Sequence, residues 1–85
     1  MPWDGRFFRL DSPAELGPWA RAMRYSTNVK MVDVAAVLGV AKSQIGCWER
    51  GDWAPNLGHS IELASAHGYQ FYLVKKGTIR AVYLE

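Results

Sequence analysis

Small, polar and basic residues recur between positions 42 and 50 at a spacing that places them on one face of an α-helix. They fall at positions i, i+1, i+4, i+5 and i+8: Lys42, Ser43, Gly46, Cys47 and Arg50. The apolar residues of the same stretch fall on the opposite face: Ala41, Ile45 and Trp48. A helix of this kind can pack one face on a core and keep the other free. The chemistry that the free face could perform is hydrogen bonding to base edges in the major groove of DNA.

A second helix is predicted immediately before this one, over residues 31–38. Its apolar face falls at i, i+3 and i+4: Val34, Val37 and Leu38. Gly39 follows the last apolar residue, where helices commonly end in a left-handed conformation that glycine adopts without penalty. Residues 31–50 are therefore predicted to form two short helices joined by a tight turn.

This arrangement resembles the helix-turn-helix of the lambda-repressor-like family, the Cro and repressor class that is also called the xenobiotic-response-element class. The matching positions are Val34, Ala35, Leu38, Gly39, Val40, Ile45 and Trp48, followed by the tripeptide Glu49-Arg50-Gly51 that is frequent in the family. The resemblance runs from about residue 12 to residue 74. Its last part is similar to the small phage-regulator or antitoxin-like branch, in which a β segment follows the last helix. The alternative is a helical hairpin that merely packs a core.

The resemblance implies a set of DNA contacts, carried over from the matching positions. The residues expected to face bases are Lys42, Ser43, Gln44, Gly46 and Cys47, and those expected to face phosphates are Lys30, Arg50, Trp53, Asn56 and His59. Lys42 could donate to guanine, and Gln44 could pair with adenine if its side chain turns into the groove. Two residues weaken the helix, because Ala41 stands where a capping serine or threonine is usual and Gly46 lies in the helix interior.

A further helix is predicted before the helix-turn-helix. Residues 12–15 form a capping box with proline at the first helical position. An apolar stripe follows at helical spacing: Leu16, Trp19, Ala20 and Met23. Arg24 lies off that stripe, and the helix is expected to end near Tyr25. A kink or a restart is expected at Gly17-Pro18, because a proline inside a helix removes a hydrogen bond.

Another helix is predicted after the helix-turn-helix, with Asn56 as its N-cap and Gly68 at its end. Its inner face would consist of Leu57, Ile61 and Ala64, with Leu63 beside them. His59 and His67 are expected to be exposed and share no metal-ligand spacing. Glu49 is expected to be structural, pairing with an arginine or capping backbone. Trp53 could equally pack on the core or stack against a ligand.

The period then changes from helical to alternating, which predicts a β-hairpin over residues 69–85 with its turn at Lys76-Gly77. The unpaired edge of a hairpin invites the same edge of a second copy, so a two-fold dimer is expected through this sheet. The residues expected at that interface are Tyr69, Phe71, Leu73, Ile79 and Val82. The alternative is a hairpin folded against its own helices. The predicted fold is therefore a mainly α domain of four to five helices, with a bundle over residues 12–68 and a C-terminal β-hairpin.

Composition sets the outer limits. The chain has 85 residues, a formal net charge of +2 and a single cysteine, which predicts one domain without an internal disulfide or a zinc cluster. No apolar run is long enough to span a bilayer and the start lacks a signal-peptide core, so a cytoplasmic location is expected. No nucleophile–base pair, phosphate-binding glycine loop or paired carboxylates indicate an enzyme, and no cofactor is expected.

Two functions fit the sequence. The first is a sequence-specific regulator, a repressor or Cro-like protein of a prokaryote or phage, which binds double-stranded operator DNA as a homodimer. The second is an antitoxin or other protein-binding module whose main role is to capture a toxin or a host protein. Exposed aromatic residues would suit the second function: Trp3, Phe7, Phe8 and Tyr83.

Overall fold

The computed structural model describes residues 8–78, and this part of the chain is mainly helical. It contains four α-helices: α1 (Leu16–Thr27), α2 (Met31–Leu38), α3 (Lys42–Arg50) and α4 (Leu57–Ala66). A short 3-10 helix, Pro13–Glu15, precedes α1. Helix α3 packs against both α1 and α2, while α4 packs mainly on α2. None of the helices within residues 8–78 has the length and apolar character needed to cross a bilayer.

The start of α1 is split, as the proline suggested. The Ser12 hydroxyl accepts a hydrogen bond from the backbone N–H of Ala14 at 3.2 Å and begins the 3-10 helix. Helix α1 then begins at Leu16, which places Pro18 in its first turn. A proline costs little there, because the N–H groups of a first turn have no acceptor within the helix. The restart therefore lies just before Gly17-Pro18, and α1 continues past Tyr25 to Thr27.

Gly17 marks the crossing of α1 and α3. A Cβ atom built at this position would overlap the backbone carbonyl group of Trp48 and would lie 3.1 Å from the backbone nitrogen of Glu49. The two helices thus touch backbone to backbone, and only a residue without a side chain allows that approach. This contact therefore requires a glycine at position 17.

The core draws on all four helices. Its buried apolar members are Leu16, Trp19, Ala20, Val34, Ala35, Leu38, Ile45, Trp48, Leu63 and Ala64. The predicted inner positions of the helix-turn-helix are confirmed for Val34, Leu38, Ile45 and Trp48. Four other predictions of inward-facing residues are wrong: Ala41, Val37, Leu57 and Ile61 are exposed.

The errors have a common physical cause. Helices α2 and α4 carry apolar residues on most of their circumference, so spacing alone cannot decide which face turns inward. Helix α4 is rotated so that Ser60, Leu63 and Ala64 face the core. This leaves Leu57 and Ile61 on its outer face, 71% and 47% exposed. Contact with the neighbouring helices, rather than periodicity, fixes the rotation.

The turn between α2 and α3 forms as predicted. Gly39 adopts a left-handed φ of 71°, and its N–H donates to the carbonyl of Ala36 at 3.3 Å. Val40 donates to the carbonyl of Ala35 at 3.1 Å and packs against the core. Helix α2 matches the predicted bounds, and α3 begins at Lys42 rather than Ala41.

The predicted C-terminal β-hairpin is wrong, since residues 8–78 contain no β-strand. A turn does lie at residues 76–77, where the N–H of Thr78 donates to the carbonyl of Lys75 at 3.1 Å and Gly77 has a φ of 89°, but no strand precedes it in residues 8–75. A strand, however, exists only where a neighbouring strand supplies its hydrogen bonds, whatever the propensity of its residues. Of the residues assigned to the hairpin interface, Ile79 and Val82 lie outside the described residues.

Candidate nucleic-acid interface

The first turn of α3 presents three of the predicted base-facing residues to solvent. Lys42, Ser43 and Gln44 are all exposed, whereas Ile45 and Trp48 in the following turn are buried. Ala41 caps the helix with extended backbone, but it provides no side-chain hydrogen bond. The exposed residues can therefore approach a groove without disturbing the core.

Gly46 was predicted to be an open position that faces the groove, but it is buried. A Cβ atom built on it would lie 3.1 Å from Nη1 of Arg50 and 3.8 Å from Sδ of Met31. The outer face of α3 is thus covered at its middle by an arginine from its own last turn. The same contact brings Met31, at the start of α2, next to the outer face of α3.

Arg50 is held in this folded-back position by two neighbours. Its Nε donates to Oδ2 of Asp52 at 3.0 Å, and its Nη2 donates to Sγ of Cys47 at 3.5 Å. The hydrogen bond that Arg50 donates to Asp52, followed by the charge of that carboxylate, raises the pKa of Arg50 above its usual value. The pair is exposed, with 58% and 53% of the two side chains accessible to solvent. Cys47 is half-buried beside it.

Besides Arg50, four residues were assigned to phosphate contacts, and they fall into two groups. Lys30 is exposed as the N-cap of α2, and Trp53 is 67% exposed in the turn after α3. Exposure of the Trp53 ring excludes the alternative that it packs on the core. Asn56 and His59, in contrast, have structural contacts. Oδ1 of Asn56 accepts from the backbone N–H of His59 at 2.8 Å, and the His59 ring lies 5.1 Å from that of Trp48.

A buried ion pair lies directly behind the exposed face of α3. Nε and Nη2 of Arg24 each donate to one carboxylate oxygen of Glu49 at 2.8 Å. Nη1 of Arg24 donates to the carbonyl of Val29 at 3.2 Å, which ties the loop before α2 to the same group. Both side chains are almost fully buried, at 9% and 3% exposure. The prediction that Glu49 pairs with an arginine is confirmed.

Sequence reasoning missed the partner, because Arg24 was placed off the apolar stripe. The spacing does contain a usable signal. Arg24 lies four residues after Ala20 and eight after Leu16, which are both buried. Residues at i, i+4 and i+8 share one helix face, so an arginine at that position is directed into the core and requires a buried acid.

A second polar feature, the half-buried ring of His67, lies beside Trp19 near the start of α1. The prediction that His59 and His67 are exposed is wrong, since both are half-buried. The His67 ring lies edge-on to the ring of Trp19 with 6.1 Å between centroids, and Tyr69 packs on Trp19 at 5.0 Å. Burial lowers the pKa of His67, an effect that the charge of Glu49 opposes and that of Arg24 reinforces.

Apart from exposed apolar residues on α1, on α2 and in the loops (Tyr25, Val29, Val32, Val37 and Trp53), an exposed apolar surface lies on α4 and the segment after it. Its members within the described residues are Leu57, Ile61, Phe71, Tyr72, Leu73 and Val74. A groove of about 610 Å³ runs beneath part of this surface, lined by Leu10, Leu16, Pro55, Leu57, Phe71 and Leu73 among others. Of the predicted dimerisation residues, Phe71 and Leu73 belong to this surface, whereas Tyr69 packs inward on Trp19.

Residues 8–78 hold no cluster of three His, Cys, Asp or Glu side chains placed to bind a metal ion. Comparison with protein-family models, with characterised proteins and with solved structures gave no match. The geometry of the described residues is therefore the basis for a functional assignment.

Proposed function

We propose that this chain is a sequence-specific regulator of transcription that binds double-stranded DNA through α3, as a cytoplasmic member of the lambda-repressor-like class from a bacterium or phage. The observation that carries the proposal is the pair α2 and α3. Helix α3 is anchored from below by Ile45, Trp48 and Glu49, which are all buried. Its other side keeps polar and basic residues free in the first turn, which is where a recognition helix contacts bases.

The charges around α3 support binding to a polyanion. Lys30 and Lys42 are exposed at the starts of α2 and α3. Lysines that neutralise phosphates release counterions, so the affinity would fall as salt rises. Base readout would come from few contacts, with Lys42 donating to guanine and Gln44 available to adenine. Trp53, exposed in the turn after α3, is placed to pack against the sugar–phosphate backbone.

A homodimer would use the apolar surface of α4 and residues 71–74 rather than a β-sheet. Leu57 and Leu73 are among the most exposed apolar residues of the described chain, at 71% and 106%. Contiguous exposed apolar surface of this kind commonly marks a binding site on a small protein. A two-fold dimer would then read two half-sites about one helical turn apart.

The test is selection of random duplex DNA by the purified protein at near-physiological salt. The wild-type protein is expected to enrich a palindromic motif, and Lys42→Ala is expected to weaken that motif or relax one of its positions. Lys76→Ala is the matched control, since it removes the same charge from an exposed lysine at the far end of the described chain. The absence of any enriched motif from the wild-type selection would reject the proposal.

One observation favours a second candidate, a protein-binding module such as an antitoxin. The apolar surface of α4 and residues 71–74 could bind a partner chain instead of a second copy. Of the aromatic residues that first suggested this role, Trp3, Phe7 and Tyr83 lie outside the described residues and Phe8 packs on Trp19. The variant Leu73→Asp tests this candidate. If the variant no longer binds a toxin encoded by an adjacent gene but still binds DNA, the result would favour a protein-binding role.

A further inference from the structure

We propose that Arg50 reads a guanine base and that Asp52 positions it for this contact. The resemblance to known helix-turn-helix proteins assigns Arg50 to a phosphate, whereas the geometry of its side chain points to the middle of α3. This inference rests on the proposed function, because it concerns the same DNA-binding face. It adds one residue that would determine specificity and another that would hold it in place.

The position of the guanidinium group is the first step. Arg50 is the last residue of α3, yet its side chain folds back toward the N-terminus along the outer face. Its Nη1 atom stands over Gly46, 3.1 Å from where a Cβ atom would lie. The charge is thus carried from the end of the helix to its centre. A recognition helix contacts base edges with its N-terminal residues, so the folded-back side chain carries the charge of Arg50 closer to the base-contacting first turn than an extended side chain would.

The way the group is held is the second step. Asp52 accepts from Nε at 3.0 Å, and Cys47 accepts from Nη2 at 3.5 Å. Within residues 8–78 these are the hydrogen bonds of the guanidinium group, and Nη1 takes part in neither. A planar group fixed along one edge keeps donors on its other edge for a ligand. Arginine recognises the O6 and N7 atoms of guanine through such a pair of donors.

The charge of the pair is the third step. The positive charge of Arg50 lies against the negative charge of Asp52, so together they neutralise almost no phosphate charge. An arginine that served mainly to bind phosphate would be weakened by an adjacent carboxylate. An arginine that reads a base gains from it, because the carboxylate fixes the side chain before binding and lowers the entropy lost on contact.

Gly46 supplies the space that the arrangement needs. A Cβ atom at position 46 would lie 3.1 Å from Nη1 of Arg50, so the guanidinium group would have to shift by a few tenths of an ångström for alanine and further for a larger side chain. This gives a reason for a glycine inside a short helix, where its backbone freedom disfavours the helical state. Helix formation alone would be served better by alanine, so the space above position 46 is the feature that glycine provides.

The experiment compares wild type, Arg50→Lys and Asp52→Asn in duplex selection and in binding to the selected site and to its single-base variants. Arg50→Lys keeps the charge but cannot form the two-donor contact. It is expected to lose most of a preference for guanine at one position per half-site, a discrimination of about 5- to 150-fold. Asp52→Asn is expected to reduce the same preference at the same position. Gly46→Ala, which shifts the guanidinium group only slightly, is expected to reduce the same preference by less.

The exposed pair Arg9–Asp11 provides a matched control. Nε of Arg9 donates to Oδ1 of Asp11 at 2.8 Å with the same sequence separation, but the pair lies before α1. Arg9→Lys and Asp11→Asn are expected to leave every base preference unchanged. Circular dichroism and thermal unfolding of each variant would establish that it folds.

Two results would overturn the inference while leaving the proposed function intact. One is a wild-type motif whose base preferences are all retained in Arg50→Lys. The other is a uniform rise in affinity for every duplex in Asp52→Asn, which would mean that the carboxylate only repels phosphate. A wild-type protein that selects no motif would instead reject the proposed function itself.

Discussion

Two ion pairs begin at adjacent residues of α3 and have opposite surroundings. Glu49 pairs with Arg24 of α1 in the core, where the two side chains are 3% and 9% exposed. Arg50 pairs with Asp52 at the surface, where more than half of each side chain is exposed. The buried pair joins two helices that are distant in sequence, while the exposed pair links neighbours in the chain. The same chemistry therefore serves packing in one place and the orientation of one side chain in the other.

The difference follows from the environment of the charges. A buried charge that loses its partner remains desolvated, so breaking one half of the pair is more damaging than the net strength of the pair suggests. An exposed charge that loses its partner is solvated by water and by salt ions. We therefore expect the buried pair to govern folding and the exposed pair to govern recognition.

The largest effect is expected from Glu49→Gln. Arg24 would keep its charge in a buried position with neither of its two carboxylate contacts, and such losses cost about 3–5 kcal/mol. The free energy of unfolding from urea denaturation would measure the change. The control is the double variant Arg24→Met, Glu49→Leu. It removes both charges and is expected to recover much of the lost free energy of unfolding. An unfolding free energy unchanged in Glu49→Gln would mean that the pair is solvated.

The next effect concerns the helix crossing that brings the buried pair together. In Gly17→Ala the new methyl group would meet the carbonyl of Trp48 and force α1 away from α3. Overpacking of this kind costs about 1–3 kcal/mol, and it would also stretch the contact between Arg24 and Glu49. Because the two sites are coupled, the costs of Gly17→Ala and Glu49→Gln should add to more than the cost of the double variant.

Gly58→Ala is a suitable control for Gly17→Ala. It also adds a methyl group in the first turn of a helix, α4, but the new Cβ atom would meet nothing closer than Oδ1 of Asn56 at 3.5 Å. It is expected to be neutral or mildly stabilising, since alanine favours a helix. A similar loss of stability in both variants would argue against the proposed crowding at the helix crossing.

These positions also show how far the sequence could predict the structure. The helix-turn-helix was predictable because Val34, Leu38, Ile45 and Trp48 recur at helical spacing and Gly39 ends a helix. The rotation of α4 was not, because Leu57, Ile61, Leu63 and Ala64 supply apolar residues to more than one face. The role of Gly17 was not predictable either, because it depends on a contact with Trp48, a residue distant in the chain.

The candidate site shows the same limit. Residue type and spacing pointed to the exposed residues Lys42 and Ser43, and the resemblance to a known family added Gln44. The path of the Arg50 side chain was not, because a side chain of that length can extend or fold back and the choice depends on Asp52, Cys47 and Gly46 together. The hairpin was predicted from alternation and strand propensity over residues 69–85, although a strand also needs hydrogen-bonding partners that propensity does not supply.

The pKa of His67 should respond to changes in the buried pair Arg24–Glu49, with a smaller effect than the changes in stability. Burial is the main cause that lowers its pKa, and the charges of Glu49 and Arg24 act on it in opposite directions. In Glu49→Gln the raising influence is lost and Arg24 acts alone, so the pKa of His67 should fall further. Asp52→Asn should leave it unchanged. The ring-proton chemical shifts of His67 against pH would measure both, with His59 as an internal reference.

The same lowered pKa fixes the sign of a pH effect on stability. The unfolded chain takes up a proton near pH 6.5, the ordinary value for histidine, whereas folded His67 does so only at lower pH. Its contribution to stability is therefore complete above that value and is lost as the pH falls toward the folded pKa. His67→Gln should flatten the fall in unfolding free energy between pH 7 and pH 5. An unchanged slope would mean that the carboxylates cause it.

The smallest effect on folding is expected from Asp52→Asn, and this completes the contrast between the pairs. Its partner Arg50 is exposed, so the lost contact is replaced by water and the urea midpoint should stay at the wild-type value at low and high salt. The side chain of Arg50, however, should gain freedom. In the ¹⁵N spectrum the Nε–H signal of Arg50 should exchange faster with water and broaden, while that of Arg24 stays protected. A clear loss of stability in Asp52→Asn would mean that the exposed pair also supports the fold, and the division of roles between the adjacent residues Glu49 and Arg50 would fail.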